Sequence, residues 1–168
     1  ARRGDVAIGG AASGGTPFVR AALAEAKKRG ARTILVTSNG RPKGARADIV
    51  IAPEVGPEVV TGSTRLKSGT AAKLVLNALT TGAMIRIGKV YDHWMVDLRP
   101  TSRKLRLRAQ RITCDLGGVT PVRARALLSA SGGSVKTAVV MARKGLSAGE
   151  ASRALARSGG FLRRALRT

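Results

Sequence analysis

Two stretches of this chain carry residue types and spacings suited to holding an anion. The first is Gly9-Gly10-Ala11-Ala12-Ser13-Gly14-Gly15-Thr16-Pro17, between an apolar run and a segment of helical periodicity. Glycines there let the backbone approach a ligand closely. Ser13, Thr16 and the free amides of a helix start offer donors, and the helix dipole favours negative charge. A phosphate group suits this arrangement. The Lys of a P-loop and the G-x-G-x-x-G spacing are both missing, so a nucleotide is not implied. A plain strand-to-helix turn has the same composition, and both readings stand. The second stretch runs from Gly56 to Lys73 and holds Glu58, Thr61, Ser63, Thr64, Arg65 and Lys67 among glycines.

A third feature is charge. Lys and Arg number 31 against 9 Asp and Glu, a net charge of +22 on 168 residues. Residues 1–97 carry 15 basic and 7 acidic residues, and residues 98–168 carry 16 and 2. Such an excess speaks of a polyanionic partner rather than of a fold. Arg outnumbers Lys 22 to 9. Guanidinium groups fork onto phosphates and are weakly hydrated. Backbone neutralisation of this kind gives salt-sensitive, sequence-independent RNA affinity. The expected contacts are Arg103, Lys104, Arg106, Arg108, Arg111, Arg123, Arg125, Arg163, Arg164 and Arg167. A merely solvated basic face is the competing reading.

Composition excludes other classes. Aromatic residues are 2% of the chain, too few for a base-stacking platform. Cys114 and His93 stand alone, so no disulfide framework, Cys-rich zinc site or His-based metal centre is expected. No metal or cofactor is expected. No run of apolar residues is long enough to span a bilayer, and no membrane partner is expected.

The elements that must position these residues alternate. Residues 5–10, 33–37 and 48–52 read as short strands, and residues 18–29 as a helix with Thr16 as N-cap and Pro17 at its first position. Residues 38–46 read as a turn region. Strand, helix, strand implies a parallel α/β sheet. Residues 70–89 read as one long helix whose apolar positions, Leu74, Leu76, Leu79, Met84, Ile85 and Ile87, nearly encircle it. Such a helix is buried or lies in an interface. Residues 91–98 form a connector or strand. Helices follow at 103–116 (capped by Thr101 or Ser102), 122–130, 135–144 and 151–158, with a last turn at 161–167. Ser147 and Glu150 form a capping box. The expected organisation is an α/β portion over 1–99 and a basic helical bundle over 100–168.

The stretch from Gly56 to Lys73 closely resembles the signature of the N-acetylmuramic acid 6-phosphate etherases and the related glucokinase regulatory proteins. Leu74-Val75-Leu76-Asn77, Thr81 to Arg86, Gly88-Lys89-Val90-Tyr91, Met95-Val96-Asp97, Gly132 to Lys136 and Gly159 to Arg163 continue the likeness in order. The resemblance covers nearly the whole chain, and it implies a sugar isomerase (SIS) fold. That is a flavodoxin-like parallel sheet with helices, followed by a small helical C-terminal region. It also implies a phosphosugar ligand, homodimeric parents, and loss of the lactyl ether by elimination and rehydration without metal or nucleotide. Ser13, Gly14, Thr16, Glu58, Ser63, Thr64 and Lys67 match family positions near the ligand. Glu58 either meets sugar hydroxyls or caps the loop. Gly15 stands where the family usually has Arg, and Phe18 where it has Tyr.

The family's two catalytic glutamates and a further sugar-phosphate loop lie ahead of the strand at 5–10. No catalytic residue is therefore expected in this chain. A start at Ala-Arg-Arg-Gly, without Met, suggests the inside of a longer protein or removal of a leader. It fits an organellar or a bacterial source equally. The leading expectation is an etherase-like scaffold reused as a non-catalytic basic subunit of an RNA-containing assembly, such as a ribosome-like ribonucleoprotein. The alternative is the C-terminal portion of an active etherase completed by a missing half. Phosphosugar sensing without catalysis ranks third. Half a doubly wound sheet leaves an open edge, so a covering protein or a second copy is expected.

Overall fold

The first apolar run forms β1 (Val6–Gly10), which pairs in parallel with β2 (Arg32–Val36) from Val6 opposite Arg32 to Gly10 opposite Val36. The computed structural model describes residues 1–40, 42, 44 and 46–167. β3 (Ile49–Ile51) pairs in parallel with β2, giving the sheet order β1-β2-β3. α1 (Pro17–Lys28) supplies the crossover that a parallel β1–β2 pair requires. It buries Leu23 and Ala26. α1 lies so close to β1 that a Cβ on Gly9 would stand 2.7 Å from Val19 Cγ1. Only glycine leaves room for that packing.

Asp48 ties three elements together. Its Oδ2 accepts from Thr33 N and from Thr33 Oγ1, both at 2.9 Å. Its Oδ1 lies 2.7 Å from Lys27 Nζ. Thr33 is fully buried, so this carboxylate satisfies a hydroxyl that has no access to water. The part of the 38–46 turn region at residues 41, 43 and 45 lies outside the described residues.

The expected long helix is α2 (Lys67–Arg86), which begins and ends three residues earlier than the periodicity predicts. Its start is set by Glu58, nine residues upstream, whose carboxylate accepts from Lys67 N and Ser68 N. A cap supplied at that range leaves no local signature. Its end is set by Gly88, where the amides of Gly88 and Lys89 return to Ile85 O and Met84 O. Within this chain α2 is not buried. Ser68 is its one buried residue, while Leu74, Leu76, Met84, Ile85 and Ile87 are exposed.

Packing divides the chain into two compact units, Ala1–Thr80 and Thr81–Thr168, so the division falls inside α2. The expected boundary after residue 99 follows the change from α/β elements to a basic helical region, a different criterion. In the second unit the end of α2 is followed by a small antiparallel hairpin, β4 (Val90–Tyr91) and β5 (Trp94–Met95), where a connector or a single strand was expected. Asp92 takes φ 54° at its tip, a conformation that Asp tolerates better than most residues.

Five helices follow: α3 (Arg103–Gly117), α4 (Pro121–Ala130), α5 (Val135–Lys144), α6 (Ala148–Arg157) and α7 (Leu162–Arg167). Ser102, Thr120, Ser134 and Ser147 cap α3 to α6, each hydroxyl accepting from the amide three residues on. Ser102, not Thr101, caps α3. The Ser147–Glu150 box opens its helix at Ala148, three residues ahead of the expected 151, because the box itself occupies the first turn. The core joins hairpin and helices through Val96, Leu98, Ile112, Leu127, Val135, Val139, Val140, Leu155 and Leu162. Asp97 adds an ionic joint. Lys89 Nζ lies 2.5 Å from its Oδ2, and Lys136 Nζ lies 3.4 Å from its Oδ1 and 3.0 Å from Gly160 O. The architecture is thus α/β, a partial parallel sheet followed by a helical bundle.

Candidate functional site

The loop between β1 and α1 is held from behind by residues far away in sequence. Ala11 N donates to Val36 O, and Ser38 N and Thr37 Oγ1 both donate to Ala12 O. Asn39 Nδ2 donates to Ser13 O, and Asn39 N donates to Thr37 Oγ1. Thr37 and Asn39 are therefore what shapes the loop. By local sequence they read only as a strand end and a turn, because partners some 25 residues apart leave no local signal.

Gly14 has φ 71°, and a Cβ there would lie 2.6 Å from Pro42 Cβ, so the position accepts only glycine. Ser13 Oγ accepts from Gly15 N at 3.2 Å, which occupies both groups in a local turn. Thr16 occupies the N-cap position of α1, but its side chain makes no cap hydrogen bond, contrary to the capping role expected of it. Its backbone (φ −54°, ψ 116°) does not bring the hydroxyl to the first-turn amides. The first-turn amides of α1 therefore donate no hydrogen bond to the N-cap side chain.

The second stretch behaves differently. Thr61, Gly62, Ser63, Thr64 and Arg65 line an open polar hollow of about 540 Å³. Ser63 N turns back to Val60 O and closes a tight bend beneath it. Ser63 and Thr64 thus share one concavity. Glu58 is drawn away from it, with its oxygens 3.0 Å from Lys67 N and 3.1 Å from Ser68 N. Of the two roles expected for Glu58, the geometry displays capping. Those two backbone bonds hold the Glu58 carboxyl below its ordinary pKa. Lys67 contributes its backbone amide to this cap, and its side chain is exposed.

The basic candidates divide by element. Arg103, Lys104, Arg106, Arg108 and Arg111 are exposed along α3, and Arg123 and Arg125 along α4. Arg163, Arg164 and Arg167 lie on α7, too short a helix to form a long basic face. Three of these guanidiniums cover aromatic rings. Arg111 stands over Trp94, Arg163 over Tyr91 and Arg164 over Phe161, at 5.9, 5.1 and 4.4 Å from the ring centroids. Arg111 is also 3.7 Å from Asp115. Among the described residues no group of His, Cys, Asp and Glu is arranged to hold a metal ion. Among them, too, no helix is long and apolar enough to cross a membrane.

No protein-family model matches the chain. Individual relatives do. The chain is 50% identical over 163 residues to an N-acetylmuramic acid 6-phosphate etherase of Erwinia tasmaniensis, covering 96% of this chain and 53% of that protein. It is 53% identical over 140 residues to the etherase of Symbiobacterium thermophilum, covering 83% of this chain and 47% of that protein. An etherase of Vibrio cholerae is 50% identical over 163 residues. The chain thus spans about half the length of the curated relatives it matches. These relatives favour the etherase alternative, and their names lend nothing to a subunit of an RNA-containing assembly. At this identity over nearly its whole length, the chain belongs to the N-acetylmuramic acid 6-phosphate etherase family, to whose C-terminal half it corresponds.

Proposed function

We propose that this chain is the C-terminal portion of an N-acetylmuramic acid 6-phosphate etherase, a carbon–oxygen lyase that releases D-lactate, and that it works only when joined to an N-terminal half. The observation that carries this reading is the 50% identity over 163 residues with relatives nearly twice as long. In the reaction a base removes the proton α to the sugar carbonyl while an acid assists departure of lactate. The glutamates that the resemblance implies for both tasks would belong to the other half.

This chain's share is to hold the phosphosugar. The uncapped start of α1, with Ser13, Gly14 and Thr16, receives the phosphate. Ser63 and Thr64 offer hydroxyls from the polar hollow, and Lys67 lends positive charge. Glu58 acts as the brace that fixes the hollow to α2. No metal or cofactor enters the reading.

The surface supports a covering partner. β1 pairs only with β2 among the described strands, and its Val6 and Ile8 are 58% and 43% exposed. An apolar edge of that kind is normally paired or covered. Exposed Leu74 and Leu76 on α2 add a second uncovered face. Covering these surfaces is the other half's task, or that of a second copy.

The test is complementation. This chain and the preceding half of the Erwinia relative are produced separately and together, and D-lactate release from N-acetylmuramic acid 6-phosphate is followed. Activity only in the mixture is the expected result. A stable association without activity, or an RNA-bound chain that never associates, would sink the reading.

A further inference from the structure

We propose that the second unit carries a binding groove, between α3 and α4, for a small organophosphate with an apolar body. This is independent of the etherase reading, whose phosphosugar residues all lie in the first unit.

The groove is a cavity of about 570 Å³, within the range that holds one small organic ligand. Arg103, Arg106, Leu107 and Gln110 lie at helical spacing on one face of α3. Arg125, Leu128 and Ser129 repeat that spacing on α4. Two facing helices normally fill such a seam with large side chains. Here the positions that would fill it are small. Ala109 is fully buried at the floor, and Ser129, Gly132 and Gly133 line the far end. The hollow follows from side-chain size rather than from separation of poorly packed helices, since Ala109 and Ala124 on the same pair have no exposure at all.

Charge identifies the occupant. Three arginines, Arg103, Arg106 and Arg125, are among the residues that line the cavity, and no acidic residue is. The second unit has four acids, and each is held elsewhere. Asp92 faces His93, Asp97 faces Lys89 and Lys136, Asp115 faces Arg111, and Glu150 closes the α6 capping box. None of the three cavity arginines has a carboxylate within ion-pair reach among the described residues. A carboxylate ligand would satisfy one guanidinium through a bidentate fork. A phosphate monoester has three terminal oxygens and two negative charges, and so matches three. Leu107, Leu128 and Pro100 then supply the apolar wall for the ester's body. An inorganic ion would leave that wall wet, and a bare nucleic-acid backbone would not need it.

The experiment titrates the full chain with phenyl phosphate, following backbone amide shifts by NMR and heat by calorimetry. Saturable binding with shifts confined to α3 and α4 is expected, about tenfold tighter than for inorganic phosphate. Ser129→Trp fills the hollow and leaves every charge in place, whereas the combined R103Q, R106Q and R125Q variant removes the charge from exposed positions. Each should weaken phenyl phosphate by about tenfold or more, with circular dichroism unchanged. Equal affinity for inorganic phosphate overturns the proposal, as does indifference to Ser129→Trp. A short single-stranded RNA that occupies the three arginines while phenyl phosphate does not would overturn it in favour of a backbone-phosphate surface.

Discussion

The carboxylate of Glu58 bridges the backbone amides of Lys67 and Ser68 at 3.0 and 3.1 Å, so a loop residue closes a helix that starts nine positions later. It spends the family-matched acid on structure. It also pins the Ser63–Thr64 bend between two fixed points.

Removing that brace should loosen the start of α2. In a Glu58→Ala chain the amides of Lys67 and Ser68 should exchange with solvent about tenfold faster, with core helices α3 and α5 unaffected. Hydrogen exchange followed by mass spectrometry or NMR checks this. The carboxyl is held below its ordinary pKa, so its contribution is present above that ordinary value and fades as pH falls below it. Unchanged exchange would show that the turn at Val60–Ser63 suffices alone.

Acid should unfold the first unit through Asp48. The Lys27 hydrogen bond, followed by those from Thr33, lowers its pKa from 3.8 to about 2. A depressed carboxylate stabilises the fold fully above its unfolded value and loses that contribution as pH falls through its folded value. The loss should fall between about pH 4 and pH 2. Asp48→Asn should remove this pH dependence. A variant whose acid transition matches the parent's would refute the assignment.

The departure at Gly15 is open to repair. A Cβ there meets only Ser13 Oγ, at 3.6 Å, and its φ is not in the left-handed region. Gly15→Arg should fold normally and restore the cation that the family usually places there. Affinity for glucosamine 6-phosphate should rise by about tenfold, since one charge-assisted hydrogen bond is worth about 1.5 kcal/mol or more. No gain, with folding intact, would argue that the first loop no longer meets phosphate.

The joint at Asp97 should matter more than a surface pair. Lys136 is only 12% exposed and has Asp97 and Gly160 O as its partners. Asp97→Ala leaves that ammonium short of its counter-charge and should cost about 1–3 kcal/mol in urea unfolding. Lys89→Ala should cost less, because Lys89 is 41% exposed and its pair is screened. Equal effects would contradict this ranking.

Local structure was legible because its causes are local. Hydroxyls at Ser102, Thr120, Ser134 and Ser147 sit one residue before their helices, so the starts of α3, α4 and α5 could be read to within a residue, while α6 begins three residues ahead of its expected start. That the strands run parallel followed from alternation of apolar strands with α1, whereas the order β1-β2-β3 is seen only in the fold. The start of α2 was displaced because its cap comes from Glu58. The β4–β5 hairpin was missed because its strands have two residues each and no apolar alternation to show.

The amino-acid order by itself determined the helices, the parallel sheet and the family, since periodicity, caps and motif order are properties of neighbouring residues. It also determined the charge, but not what the charge does. Tertiary structure alone decided that Glu58 braces and that Thr37 and Asn39 shape the first loop. It alone decided that Arg103, Arg106 and Arg125 share one hollow while Arg111, Arg163 and Arg164 cover rings. The physical reason is the same in each case. A hydrogen bond or a cavity depends on distances between residues far apart in sequence, and those distances exist only after the core has packed.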